Sequence, residues 1–222
     1  MLFFDIDNTL LDSDTAESSA AMAVYNQNKL LQDLYPEEEF LGIWKETAAK
    51  FLQKYLEGQL TFEQQSQAVI KDVFKTPLGE RESEAILKDY LAACAEHWQL
   101  YYDVLPMLEK YKDVSKGIIS NGDGDLQRHK LQKTGIDGFF NIVVISEDIG
   151  IAKPDPGIFL HAVKQAGMEP SKCWYIGDKI SIGAKAAMDA GLTGIWLNRK
   201  LAGKDEKVPE IISFTDLIYS AS

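Results

Sequence analysis

The sequence predicts an α/β protein, a mainly parallel sheet covered by helices on both faces with an all-α bundle inserted into it. Three observations carry that prediction. After Pro106, short apolar runs alternate with helical stretches; three of those helices stop at the same glycine-apolar step; and residues 15–97 keep a helical period almost throughout. Continuous apolar strands, as opposed to strands that alternate polar and apolar residues, mark a parallel sheet buried on both sides.

The chain begins Met1-Leu2-Phe3-Phe4, an apolar strand that runs straight into Asp5 and Asp7. From Thr15 to His97, residues such as Phe40, Ile43, Trp44, Phe51 and Tyr55 recur at helical spacing. Tyr35-Pro36-Glu37-Glu38-Glu39 predicts a helix start, with acids beside the positive end of the dipole. Thr61-Phe62-Glu63-Gln64 fits a capping box, and Gly58 and the Thr76-Pro77-Leu78-Gly79 turn separate helices. The block predicts a bundle of about four helices. Beyond it, strands are predicted over residues 116–120, 142–145, 174–176 and 194–197. The helices between them close at "KTGI", "QAGM" and "DAGL", where Gly135, Gly167 and Gly191 suit a left-handed C-terminal cap. The expected division is an α/β core of residues 1–14 and 98–222 and a helical cap of residues 15–97.

The 222 residues are 45% apolar and 26% charged, the composition of an ordinary globular chain, with a net charge of −11. That charge argues against nucleic acid and anionic membranes as partners, which basic patches attract. It leaves small anionic substrates open, because a site can be locally positive. No run approaches the ~20 apolar residues of a membrane span, and the first residues lack the basic start of a signal peptide. A cytoplasmic location is expected, as a monomer or homodimer. Cys94 and Cys173 lie in apolar surroundings without metal-ligand spacing and are expected to be buried thiols. His97, His129 and His161 show no shared arrangement, and Trp44, Trp98, Tyr101 and Tyr102 are expected to pack.

Open parallel sheets bind ligands outside the carboxyl ends of their strands. Here those ends read Asp5-Ile6-Asp7-Asn8-Thr9, Ser120-Asn121-Gly122, Glu147-Asp148 running towards Lys153-Pro154-Asp155, and Gly177-Asp178. If the strands are neighbours, Asp5, Asp7 and Asp178 converge on one rim. Two carboxylates about 5 Å apart repel by roughly 3 kcal/mol at an effective dielectric near 20, a cost that sharing a proton or holding a cation could offset. For oxygen donors without His or Cys the natural cation is Mg²⁺, which substrate phosphate oxygens commonly complete.

In order and placement, Asp5-Ile6-Asp7-Asn8-Thr9, Ser120-Asn121-Gly122, Lys153-Pro154-Asp155-Pro156 and Gly177-Asp178 resemble the haloacid dehalogenase superfamily, in particular its phosphatase branch with a helical cap after the first motif. The resemblance implies a Rossmann-like three-layer core. It also implies roles. Asp5 would be the nucleophile and form an aspartyl-phosphate. Asp7 would protonate the leaving oxygen and then serve as base for the hydrolytic water. Ser120 and the backbone amide of Asn121 would hold phosphoryl oxygens, and Lys153 would offset the charge on Asp5 and the phosphate. The Asp5 and Asp178 carboxylates and the Asp7 carbonyl would ligate Mg²⁺. Thr9 would orient the loop. Dehalogenase members lack the second acid, since a halide leaves without a proton, so Asp7 implies a phosphatase.

The implied partner is a small phosphorylated metabolite. "SNGDGDLQRHKLQKTGI" and "VVISEDIGIAKPDPGIF" are similar to nucleotidase-like members, which points to a nucleoside monophosphate, with sugar phosphates as the main competitors. A phosphomutase of the same family is the alternative enzyme. The alternative without turnover is a phosphate-binding protein, because Gly183 stands where the family's fourth motif usually carries a second acid. That substitution implies weakened magnesium binding, which Gly183→Asp should restore. Asp123 and Asp125 are expected to cap a helix, as is Asp155 ahead of Pro156.

Overall fold

Leu2, Phe3 and Phe4 are wholly buried and form the shortest of the strands that build the rim, β1 (Leu2–Phe4). The computed structural model describes residues 1–219, which fall into two compact units: residues 1–12 with 99–219, and Ser13–Trp98.

The first unit holds a six-stranded, all-parallel sheet in the order β3-β2-β1-β4-β5-β6. Its other strands are β2 (Lys116–Ser120), β3 (Ile142–Ile145), β4 (Trp174–Gly177), β5 (Thr193–Leu197) and β6 (Glu210–Ile211). The last of these has no counterpart in the prediction. It is two residues long and follows Pro209, too short to show a strand period. β1 lies between β2 and β4, with Phe4 level with Ile118 on one side and Ile176 on the other. The order of strands reverses at β1, so the chains leaving β1, β2 and β4 part around a crevice at their carboxyl ends.

Alternate β1 residues face opposite layers. Phe3 joins a core with Ile119, Val144, Phe159, Val163 and Tyr175. Phe4 packs edge-on against Phe214 at 5.7 Å and Phe140 at 6.4 Å. The covering helices are, in chain order after the second unit, α6 (Val104–Lys110), α7 (Gly124–Lys133), α8 (Ser146–Ile149), α9 (Pro156–Gln165) and α10 (Ala186–Asp189). Gly135, Gly167 and Gly191 have φ of +72°, +63° and +88°, the left-handed conformation their sequence context called for. Asp123 accepts from the Leu126 amide, and Asp155 from that of Gly157.

The second unit contains five helices where about four were expected. They are α1 (Ser13–Gln27), α2 (Lys29–Leu34), α3 (Glu37–Leu56), α4 (Phe62–Phe74) and α5 (Glu80–Glu96). The extra one, α2, is a six-residue piece separated from α1 by a break at Asn28. Tyr25, Tyr35, Phe40, Trp44 and Phe51 fill the core of the bundle, and the Thr61–Gln64 capping box is present in full. Among the described residues no helix is long and apolar enough to cross a membrane. Cys94 and Cys173 are both buried. Tyr102 departs from expectation: it is 81% exposed and packs into no core, because the chain turns outward there before α6.

Candidate active site

The site grows out of the end of β1. The Asp5 amide still donates to Ile176 of β4, at 3.0 Å, so the residue is held as an extension of the sheet while its side chain enters the crevice. The loop then folds tightly on itself, with the amides of Thr9, Leu10 and Leu11 all donating to the Ile6 carbonyl. Asn8 takes φ +55° in this loop, a conformation that asparagine tolerates better than most residues.

Both oxygens of Asp5 are engaged. Oδ1 accepts from Ser120 Oγ at 3.1 Å and from the Ile6 amide at 2.9 Å. Oδ2 lies 2.6 Å from Lys153 Nζ and accepts from the Tyr175 hydroxyl at 3.3 Å. Lys153 is 2% exposed; its ammonium also donates to the Ile119 carbonyl at 3.1 Å and to the Tyr175 oxygen at 2.9 Å. Three N–H donors therefore meet three acceptors. Asn121 fixes the loop that carries the lysine, donating to the Lys153 carbonyl and accepting from its amide. The Asn121 side chain thus positions Lys153, while the phosphate contact was expected of its backbone amide.

Asp7 faces another set of partners. Lys130 Nζ lies 2.6 Å from its Oδ1, and Gln127 Nε2 donates to its Oδ2 at 2.8 Å. Gln127 Nε2 also lies 2.8 Å from Ser120 Oγ, tying the two motifs together. Gln127 and Lys130 are one helical turn apart on α7, and both are buried. Sequence reasoning missed them; the available signal was an i, i+3 pair on the helix that starts just after Ser120-Asn121-Gly122.

Asp178 leaves β4 beside them. Its amide donates to Thr9 Oγ1 at 3.0 Å and its carbonyl accepts from Trp196 Nε1 at 2.9 Å, so Thr9 does orient a loop, the one bearing Asp178. The Thr9 carbonyl in turn accepts from Arg199, which is paired with buried Asp103 and stacked 4.0 Å above Tyr101. Burial opposes the charge on Asp103, but hydrogen bonds from Arg199, Ser213 and the Phe214 amide outweigh it and hold its pKa below the usual value.

Burial, with the charge of Asp5 and a smaller contribution from Asp7, pushes the Asp178 pKa up to about 6. Its cationic neighbour Lys179 stands 3.5 Å away with a side chain 54% exposed, too solvated to balance it. The carboxylates of Asp5 and Asp178 thus share a deficit of positive charge, and their donors are all oxygen. A hard divalent cation fits that deficit. Among the described residues no three His, Cys, Asp or Glu side chains form a metal-binding group, in keeping with an Asp7 carboxylate turned to Lys130 and Gln127.

Gly183 lies in a π-helical turn (Ile180–Lys185), and its surroundings change the meaning of the missing acid. A Cβ at this position would meet Tyr175 Cε1 at 3.2 Å and the Tyr175 oxygen at 3.4 Å. The place is bounded by an aromatic ring, so any side chain added at Gly183 also presses on Tyr175. Burial, with the charges of Asp5 and Asp178, pushes the Tyr175 phenol well above its ordinary pKa and keeps it a donor.

A carboxylate at the switch point of a parallel sheet, paired with a buried lysine and flanked by further acids, stands where open α/β sheets bind their ligands. The chain belongs to the haloacid dehalogenase-like hydrolases, whose family model matches residues 1–191. It is similar to N-acylneuraminate-9-phosphatase of Rattus norvegicus, with 28% identity over 213 residues covering 89% of this chain and 82% of the relative. Pyrimidine 5'-nucleotidase YjjG of Escherichia coli is 41% identical over 83 residues, 37% of each chain. In fold, the crystal structure of the HAD-hydrolase YfnB of Bacillus subtilis bound to magnesium matches with a TM-score of 0.81 at 22% identity, covering 97% of this chain and 95% of that one.

Proposed function

We propose that this hydrolase cleaves the phosphate monoester of a small metabolite through an aspartyl-phosphate on Asp5, with magnesium as cofactor. The observation that carries the reading is the Asp5 carboxylate held between Lys153 and Ser120, two residues before a second acid. An oxygen of Asp5 attacks phosphorus, and the bond to the leaving oxygen breaks as Asp7 delivers a proton to it. Water then attacks the same phosphorus, Asp7 takes its proton, and inorganic phosphate leaves Asp5 free. Lys153 and Ser120 hold charge and geometry at the nucleophile throughout. Magnesium, held by the Asp5 and Asp178 carboxylates and the Asp7 carbonyl, would supply charge neutralisation for the transferring group. Asp7 favours an oxygen leaving group over a halide, since only the former needs a proton.

The relatives direct the substrate choice. One is named for a sugar-acid phosphate and one for pyrimidine nucleotides, so nonulosonic-acid and hexose phosphates, together with nucleoside monophosphates, form the first panel. Phosphate release from at least one member is expected with magnesium and not with EDTA. Asp5→Asn should reduce release by at least about 10³-fold and abolish acid-stable phosphoryl labelling. An Asp5→Asn protein as active as its parent would sink the reading, and an isomerised phosphate in place of free phosphate would convert it to a mutase.

A further inference from the structure

Tyr175 is the most deeply buried polar group in the site to which the reaction above gives no task. It is wholly buried in β4, and its ring stands edge-on to Phe159 at 5.1 Å and 89°. Its hydroxyl accepts from Lys153 Nζ at 2.9 Å and donates to Asp5 Oδ2 at 3.3 Å. Two glycines make way for it. A Cβ at Gly177 would lie 2.8 Å from the hydroxyl oxygen, and one at Gly183 would lie 3.2 Å from ring carbon Cε1.

We propose that Tyr175 is a positioning residue of the reaction, its hydroxyl locking the Lys153 ammonium against the Asp5 nucleophile, and that Gly183 is glycine because this ring needs the space. The inference rests on Asp5 being the nucleophile. The lysine has three protons and three acceptors, and the tyrosine supplies one of those acceptors. Without the hydroxyl, one N–H of a lysine that is 2% exposed has no partner. The ammonium would then tilt towards other oxygens, and Asp5 Oδ2 would lose a donor at the same time. In this reading the absent second acid of the fourth motif is no defect: the space beside Gly183 belongs to the tyrosine, which reaches the nucleophile from β4.

The test uses p-nitrophenyl phosphate and magnesium with the full chain. Tyr175→Phe keeps the ring and should lower kcat about 10- to 100-fold while KM stays within about threefold, in a protein that stays folded at the assay temperature. Gly183→Ala, which pushes on the ring, should lower kcat in the parent. It should add little in the Tyr175→Phe background, where no hydroxyl is left to displace. A Tyr175→Phe enzyme with parental kcat overturns the proposal, as do losses from the two substitutions that simply multiply. Asp5→Asn runs alongside. If it abolishes turnover while Tyr175→Phe is unimpaired, the positioning role alone fails; if the parent shows no turnover, or Asp5→Asn matches it, the reading of Asp5 fails first.

Discussion

The two units of the chain treat buried charge in opposite ways. Among the described residues, the helical unit Ser13–Trp98 buries two polar residues, Ser13 and Ser83, and no charged one. The α/β unit buries Asp5, Asp103, Lys116, Lys130 and Lys153. Four of these five are joined in ion pairs: Asp5 with Lys153, Asp7 with Lys130, and Asp103 with Arg199. A buried pair contributes little net stability, since desolvation consumes most of the Coulomb attraction, yet losing one partner is costly. The helical unit is therefore built as a stable body, and the α/β unit trades that ease for chemistry.

That contrast can be broken at its strongest points first. Phe40→Ala empties the centre of the bundle, where Tyr25, Tyr35 and Trp44 pack around it, and should cost about 3–5 kcal/mol in urea denaturation. Asp103→Ala leaves Arg199 buried without its carboxylate and should cost about 3 kcal/mol or slightly more, although it removes little apolar contact. An effect below about 1 kcal/mol would show that Arg199 finds water, and would weaken the contrast.

Asp178 sharpens the comparison by its sign. Its folded pKa, about 6, lies above the unfolded value of 3.8, so the folded state binds the extra proton between those values. In EDTA, stability should fall as pH rises from about 4 to 6 and stay low above that, by an amount on the order of 3 kcal/mol for this group. Asp178→Asn should remove that component of the pH dependence, and magnesium should restore stability to the parent but not to the variant. A metal-free parent whose stability rises through that window faster than Asp178→Asn contradicts the assignment.

Lys130→Met tests the ion pair that faces the second acid. Loss of the partner at 2.6 Å should lower kcat about 10- to 100-fold, with a smaller effect on folding because the Asp7 side chain is 31% exposed. At the bottom of the scale, Thr61→Ala removes an exposed capping box from α4 and should cost about 1 kcal/mol with kcat unchanged.

How much of this was legible in the sequence follows from distance along the chain. Strand positions were readable because four consecutive apolar residues between glycine-closed helices have few other solutions, as in Ile142–Ile145. Asp5, Ser120, Lys153 and Asp178 were readable because each sits at a strand end or in a short motif beside one. Gln127 and Lys130 were not, since Leu126 and Leu131 are the only apolar residues of "LQRHKLQK" and mark its buried side too weakly to single out two polar neighbours. Tyr175 looked like one more apolar strand residue, and the partners of its hydroxyl, Lys153 and Asp5, lie 22 and 170 residues away. The Asp103–Arg199 pair spans 96 residues and carries no local pattern at all. Gly183 was legible as a departure, but its cause lay across the fold in an aromatic ring.

The place of β1 has a consequence for how the molecule is made. Both neighbours of the strand that carries Asp5, β2 and β4, follow the entire helical unit in the chain, so they are translated only after it. The bundle, made of contacts close in sequence, can form while β1 still waits unpaired. Ser120, Lys153 and Tyr175 then arrive one after another, so the Asp5 carboxylate gains its full set of partners only once β4 has been made.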